Sequence, residues 1–261
     1  MTPDQVLLAN LLAVGLAVTF LWGVSLFIGD SSIIDPFWGA GFVMVAWLSF
    51  GLVSGSSPRS LLIAILVSLW GLRLSGYLAW RNWGQPEDYR YAAMRERHGK
   101  LFPLVSLLTV FGLQGLLMWI VSLPLQVGVA SAEASLVPAA IGVSLWFVGI
   151  LFESVGDYQL ARFKANPANR GRVMNQGLWR YTRHPNYFGD FLVWWGFYLL
   201  AAESSSWWWT VIGPLLMSFL LLRVSGVRLL ENSLRSRVTG YAEYVRDTSA
   251  FFPRPPKNGS V

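Results

Sequence analysis

Gly177-Leu178-Trp179-Arg180-Tyr181-Thr182-Arg183-His184-Pro185-Asn186-Tyr187-Phe188-Gly189-Asp190 is a polar, cationic stretch that runs without a break into the apolar segment Phe191 to Ala202. Ionisable groups set against a hydrophobic segment are expensive to hold near lipid, and where they occur they are functional candidates by default. The stretch reads as the edge of a membrane-embedded site for an anionic ligand. That reading requires the flanking chain to be membrane spans.

Composition agrees. Of 261 residues, 54% are hydrophobic, 15% aromatic and only 13% charged, which lies outside ordinary globular usage and inside the multi-span class. The absence of cysteine excludes disulfides, thiolate zinc sites, iron–sulfur clusters and a cysteine nucleophile, and two histidines make a protein-built metal site a poor expectation. A net charge of +6 could suggest nucleic acid, but the basic residues fall between apolar runs, where they report topology and anionic ligands instead. The segment Met1 to Gln5 has no positive n-region, so the first apolar run is expected to stay as a helix.

A hydrocarbon core of ~30 Å needs about 20 apolar residues per helix. Seven runs approach that length: Val6 to Ile28, Pro36 to Val53, Ser60 to Trp80, Leu101 to Val127, Leu136 to Arg162, Tyr187 to Ala202, and Trp207 to Leu222 with a polar extension to Arg237. Lys and Arg accumulate on the cytoplasmic side. Seven spans place five basic residues in 81–100, six in 162–183 and seven after 222 on one face, eighteen of the chain's twenty. The expectation is an all-α integral membrane protein, a seven-transmembrane helix bundle with its N-terminus outside and its C-terminus cytoplasmic. No repeat or linker marks a second domain, so residues 1–261 read as one membrane domain.

Several polar constellations stand out. Glu153 and Asp157 are i, i+4 on the fifth run, with Arg162 and Lys164 following; they are either site carboxylates or a carboxylate–arginine clamp between helices. Asn186 and Asp190 repeat that spacing at the start of the sixth, beside Tyr187 and behind Pro185, a residue suited to a helix N-terminus. With Arg180, Arg183 and His184 they make a corner able to receive phosphate or carboxylate; a lipid-headgroup patch explains the arginines but not the paired amide and carboxylate. Asp35, before Pro36, reads equally as an N-cap or as a carboxyl group pointing into a cavity. Arg73 and Arg81 precede the polar loop Gly84 to Tyr91, which carries Tyr89 and Tyr91. In the tail, Glu231 and Arg235 are i, i+4, ahead of Tyr241 and Tyr244, and the segment Tyr244 to Pro253 looks like a closing turn with a lid as one use.

These residues carry a resemblance. Gly177 to Tyr181, Arg183 to Asp190, Asp157-Tyr158-Gln159, Glu231 and Tyr241 to Tyr244 resemble the C-terminal half of the membrane steroid 5α-reductase family, and the whole chain resembles its bacterial branch, a group described only as a domain of unknown function. The similarity is strong from Phe147 to Pro253 and loose before it. The Arg-His-Pro-x-Tyr core is shared with isoprenylcysteine and phospholipid methyltransferases and with sterol reductases. The resemblance implies NADPH held at the cytoplasmic side by 136–253, and a flat enone lipid such as a Δ4-3-ketosteroid entering a cavity formed by 1–100. Family cofactor contacts map to Arg73, Asp157, Arg162, Lys164, Arg180, Tyr181, Arg183, Asn186, Asp190 and Glu231. Glu153, His184, Tyr187, Arg235 and Tyr241 complete the candidate cofactor set. Asp35 matches the family's catalytic glutamate, while the family's tyrosine position falls near Trp70, leaving Tyr89 or Tyr91 as candidate proton donors.

The implied activity is a 3-oxo-5α-steroid 4-dehydrogenase reaction in a bacterial inner membrane, with NADPH as the cofactor and no metal or nucleic acid. The alternatives are an S-adenosylmethionine-dependent methyltransferase of a prenylated or phospholipid substrate, or a non-enzymatic lipid-binding or transport protein. The abundance of cations favours a phosphate-rich dinucleotide over a sulfonium, and transporters commonly show repeats or broken helices, neither of which is visible.

Overall fold

The computed structural model describes residues 1–53, 57–129, 136–202, 207–224, 238 and 240–256. Among the described residues the chain is helical, without strands. Five stretches are long and apolar enough to cross a bilayer: Pro3–Ile28, Ser31–Leu52, Pro58–Asn82, Tyr89–Val121 and Leu136–Ala165. The protein is a multi-pass, all-helical membrane protein. Two apolar helices are shorter, Pro185–Ala201 and Trp208–Val224, the first being 17 residues. The chain divides into two compact units, Met1–Ser135 with Ala201–Gly213, and Leu136–Leu200 with Pro214–Val261.

In the first unit, α1 (Pro3–Ile28) begins earlier than its apolar run because Thr2 and Gln5 form a reciprocal capping box with Pro3 at N1. One face of α1 is buried through Val6, Asn10, Val14 and Val18. The opposite face exposes Leu8, Leu12, Leu16 and Phe20, spaced by four, as a lipid-facing helix requires. Asn10 Nδ2 donates to Ser49 Oγ at 2.8 Å, which ties α1 to α2 (Ile34–Leu52). α2 and α3 (Pro58–Asn82) form the unit's most extensive pairing. They approach at Gly39 and Gly71, where a Cβ on Gly71 would sit 2.6 Å from the Gly39 carbonyl oxygen. Phe42 and Trp70 fill the interior beside that contact, ring centroids 5.7 Å apart and fully buried.

The stretch from Tyr89 to Val121 is folded back on itself. α4 (Tyr89–His98) ends at Gly99, whose φ of 48° belongs to the left-handed region that glycine tolerates. The chain then continues as α5 (Phe102–Ser106), a π-helical segment Leu107–Gly112 and α6 (Leu113–Val121). Residues 23 apart on a straight helix would be separated by about 34 Å, yet the side chains of Tyr91 and Gln114 lie 3.3 Å apart. α7 (Leu123–Val129) follows after Ser122, so the expected run Leu101 to Val127 is helical from Phe102 to Val121 through the π segment and is broken only at Ser122. A 3-10 turn at Gly99–Leu101 precedes Pro103, which suits a helix start.

In the second unit, α8 (Leu136–Ala165) and α9 (Pro185–Ala201) cross at glycines. A Cβ on Gly149 would lie 2.6 Å from the Gly189 carbonyl oxygen, and one on Gly142 2.8 Å from that of Gly196. Only hydrogen fits at such spacing, and the close approach substitutes for the hydrophobic drive that lipid does not supply. After α9 come a 3-10 turn and α10 (Ile212–Phe219), and near the C-terminus α11 (Tyr241–Asp247).

Candidate functional site

Two polar clusters emerge, one in each unit. In the second unit the glycine crossing brings the α8 carboxylates to the start of α9. Gly156 faces Pro185 and the Asn186 backbone, and Gly189 faces Glu153, so side chains one turn along each helix meet. Asn186 Nδ2 donates to Asp157 Oδ1 at 3.1 Å, while Asn186 Oδ1 accepts the Tyr187 N–H at 3.1 Å. Glu153 and Asp157 are buried, and Asp190 sits one turn from Asn186. The His184 and Tyr187 rings stack with centroids 5.4 Å apart and planes 4° off parallel.

The segment before α9 docks on α8 through groups that were not among the candidate site residues. Trp179 Nε1 donates to the Gly156 carbonyl at 3.0 Å, and the Leu178 N–H donates to Gln159 Oε1 at 3.0 Å. Thr182 Oγ1 accepts from the His184 N–H and donates to the Phe251 carbonyl at 2.8 Å. The tail then lies along this segment. The Arg183 N–H donates to the Ser249 carbonyl at 2.9 Å, the Arg254 N–H to the Tyr181 carbonyl at 3.0 Å, and the Tyr244 hydroxyl to the Trp179 carbonyl. Arg183 Nη1 donates to the Val245 carbonyl at 3.0 Å and to the Thr248 carbonyl, so its guanidinium caps the end of α11 and holds the tail. Phe188 and Phe191 stack with centroids 6.5 Å apart, and each meets Phe251 and Phe252 edge to face with centroids 5.6 to 6.0 Å apart, which closes the seam.

The cationic candidates spread around this corner. Arg162 and Lys164 are exposed in the last turn of α8, where they also complement the helix dipole. Arg180 is half-buried, with its Nε lacking a hydrogen-bond partner among the described residues, and Tyr181 is exposed. Tyr241 is buried, its ring 6.0 Å from that of Tyr244. Glu231 and Arg235 lie outside the described residues. Arg73 sits half-buried on α3, in the first unit.

In the first unit, Asp35 is not the cap of α2. Asp30 caps the preceding 3-10 turn by accepting the Ser32 N–H at 2.7 Å, which leaves the Asp35 carboxylate in the first turn of α2 to face α4. The Tyr91 hydroxyl donates to Asp35 Oδ1 at 2.8 Å, Arg90 Nη2 lies 3.5 Å from Asp35 Oδ2, and Gln114 Nε2 donates to the Tyr91 oxygen at 3.3 Å. Tyr91 is buried, whereas the Asp35 side chain keeps 16% of its surface exposed. The other tyrosine candidate, Tyr89, is 67% exposed; the carboxylate pairs with Tyr91. Gln114 was not anticipated, because nothing in the sequence shows that the chain reverses at Gly99.

A charged latch holds α4 against the start of α2. Glu87 accepts the Ser31 N–H at 2.8 Å and a two-pronged contact from Arg95 at 2.8 and 3.0 Å. The Asp88 N–H donates to Ser32 Oγ at 2.7 Å. Arg95 also donates to the Gly29 carbonyl at 3.2 Å and lies 4.2 Å over the Phe102 ring. Burial pushes the Glu87 carboxyl upward, but the hydrogen bonds from Arg95 and Ser31 outweigh it and leave the pKa below the ordinary 4.5. For Asp88, burial is likewise outweighed by the Arg90 hydrogen bonds, and its pKa falls below 3.8.

With this geometry established, comparison adds the family. Residues 21–248 match the family described as "Protein of unknown function (DUF1295)", and the chain belongs to it. A curated relative, "Uncharacterized protein C594.04c" of Schizosaccharomyces pombe (strain 972 / ATCC 24843), is 28% identical over 220 residues, 72% of this chain. The chain covers 64% of that relative's length. No solved structure matches.

Proposed function

We propose that the protein is an NADPH-dependent reductase of an enone lipid, with a 3-oxo-Δ4-steroid as the model substrate. In this reading the helices Pro185–Ala201 and Trp208–Val224 are two further crossings that bring the bundle to seven, with the N-terminus outside and the cofactor on the cytoplasmic side of a bacterial inner membrane. The observation that carries the reading is the 2.8 Å hydrogen bond between Tyr91 and Asp35, a phenol and a carboxyl group brought from distant stretches of sequence to one point. A lipid carbonyl needs such a pair when negative charge develops on its oxygen, and in a water-poor site the stabilisation is large.

NADPH, when bound, supplies the hydride for the β-carbon of the enone. The donor set of the second unit fits such a ligand. Arg162, Lys164 and Arg180, whose Nε is buried without an acceptor among the described residues, suit phosphates. Asp157 and Asn186, locked together, offer acceptor and amide groups for a ribose or nicotinamide amide. Asp35 and Tyr91 polarise the carbonyl oxygen and return a proton to the product, so that one hydride and one proton add across the double bond.

The test is thermal unfolding of the detergent-solubilised protein. NADPH at 100 times its Kd stabilises by about 2.7 kcal/mol if it binds only the folded state, and S-adenosylmethionine leaves the transition unmoved. Stabilisation by S-adenosylmethionine and not NADPH overturns the reading in favour of methyl transfer. Stabilisation by neither, with a lipid alone raising the midpoint, favours a non-enzymatic lipid carrier.

A further inference from the structure

A phenol carries one proton and two lone pairs. At Tyr91 the proton goes to Asp35 Oδ1 at 2.8 Å and one lone pair accepts from Gln114 Nε2 at 3.3 Å. One lone pair remains among the described contacts. While Asp35 is ionised, the open position on Tyr91 is therefore an acceptor, and it suits a ligand oxygen that bears a hydrogen. If Asp35 takes up a proton on Oδ1, the oxygen that faces the phenol, the carboxylic acid donates to Tyr91, and Gln114 and Asp35 together fill both lone pairs. The phenolic hydrogen must then turn outward, where it suits a carbonyl. Gln114 makes these two states exclusive by occupying one lone pair in both.

Gln114 reaches Tyr91 because the chain reverses at Gly99 and because the π-helical segment Leu107–Gly112 sets the phase of α6 just before it. Among the described residues, the charged groups acting on Asp35 are Arg90 and Asp88 from the start of α4 and Arg81 in the last turn of α3. The Asp35 side chain is 16% exposed, so the acid end of the pair is not fully enclosed by protein.

We propose that Asp35, Tyr91 and Gln114 form a proton-coupled selector between lipid ketones and lipid alcohols, with Gln114 as the positioning residue that sets the polarity of the open site. The selector rests on the reading that a lipid oxygen docks at Tyr91. It adds that a ketone binds together with one proton, which is the proton that the reduction of an enone consumes.

The experiment measures equilibrium binding to the full-length protein in lipid nanodiscs between pH 4 and 9, using 5α-cholestan-3-one and 5α-cholestan-3β-ol as probes. They differ only at the oxygen. In the wild type the ketone should weaken with rising pH by up to about tenfold per unit where Asp35 titrates, as uptake of one proton demands. The alcohol should tighten as pH rises toward the point where Asp35 ionises and level off above it, where the ketone goes on weakening. Asp35→Asn should flatten both profiles, and Gln114→Leu should shrink the opposition between the probes to less than about threefold. Identical pH profiles for the two probes in the wild type overturn the selector alone, as does an unchanged opposition in Gln114→Leu. Binding of neither probe overturns the selector together with the reading beneath it. Opposed profiles without NADPH-dependent reduction of 4-cholesten-3-one leave the selector standing and overturn the reductase reading.

Discussion

Gly189→Ala tests whether the second unit's polar corner depends on the closeness of α8 and α9. The added methyl would lie 2.5 Å from the Gly149 carbonyl oxygen, 2.7 Å from Glu153 N and 2.8 Å from Glu153 Cγ. Two of these neighbours are backbone and the third is the stem of a buried side chain, so none rotates away. A relaxed carbon–oxygen contact needs about 3.4 Å, and the helices must part by about 0.9 Å. Parting along the crossing would stretch the Asn186–Asp157 hydrogen bond from 3.1 Å to about 4 Å, outside hydrogen-bonding range. Overpacking costs about 1–3 kcal/mol, and leaving Asp157 without its amide adds a comparable amount. The thermal midpoint in detergent should fall by on the order of 10 °C, and the stabilisation by NADPH should disappear with it. Gly15→Ala is the control, since nothing lies within 4 Å of a Cβ there; on α1 the exchange should be neutral or favour the helix by up to about 1 kcal/mol. If Gly189→Ala unfolds at the same temperature as Gly15→Ala, the close crossing is not what assembles the corner.

Three further outcomes follow from the geometry. Tyr91→Phe removes both the donor to Asp35 and the acceptor of Gln114, so the rate of enone reduction should fall by about 10²-fold or more while NADPH still raises the thermal midpoint; Tyr89→Phe, at a side chain 67% exposed, should leave the rate unchanged. Glu87, held below its ordinary 4.5, contributes stability that is fully present above that value and is lost as pH falls through the lower folded value. The midpoint difference between wild type and Glu87→Gln should therefore be constant from pH 8 to 5 and vanish in more acid solution. Arg183→Lys leaves an ammonium unable to reproduce the guanidinium's contacts with the Val245 and Thr248 carbonyls, and tryptic cleavage after Arg246 should accelerate about tenfold.

The helical, membrane-spanning character was legible because hydrophobicity and length act locally; a run such as Leu136 to Arg162 cannot be anything but a helix in lipid. The i, i+4 pairs were equally legible, since helical phase alone puts Glu153 above Asp157 and Asn186 above Asp190. Phase does not say which helices face each other. That was decided by where glycines permit backbone contact, at Gly149 and Gly189, and it turned two separate pairs into the Asn186–Asp157 contact. Arg183 shows the limit in the other direction. From the sequence it was one more cation near an anion corner, and only the return of the tail gives its guanidinium the carbonyls of Val245 and Thr248.

Asp35 was the most divided reading, an N-cap or a buried acid, because a carboxylate before proline serves either use. Local chemistry settled half of it, since Asp30 already caps the turn. The rest required the chain to reverse at Gly99, a single left-handed residue that carries no hydrophobic signal and yet lays α4 back along the next helix. The sequence alone therefore determined the solvent in which this protein lives and which residues share a helical face. Which polar groups meet across faces, Tyr91 with Asp35 and Gln114 among them, was decided by tertiary structure, because such contacts depend on interhelical distances that glycines and turns control and that periodicity does not encode.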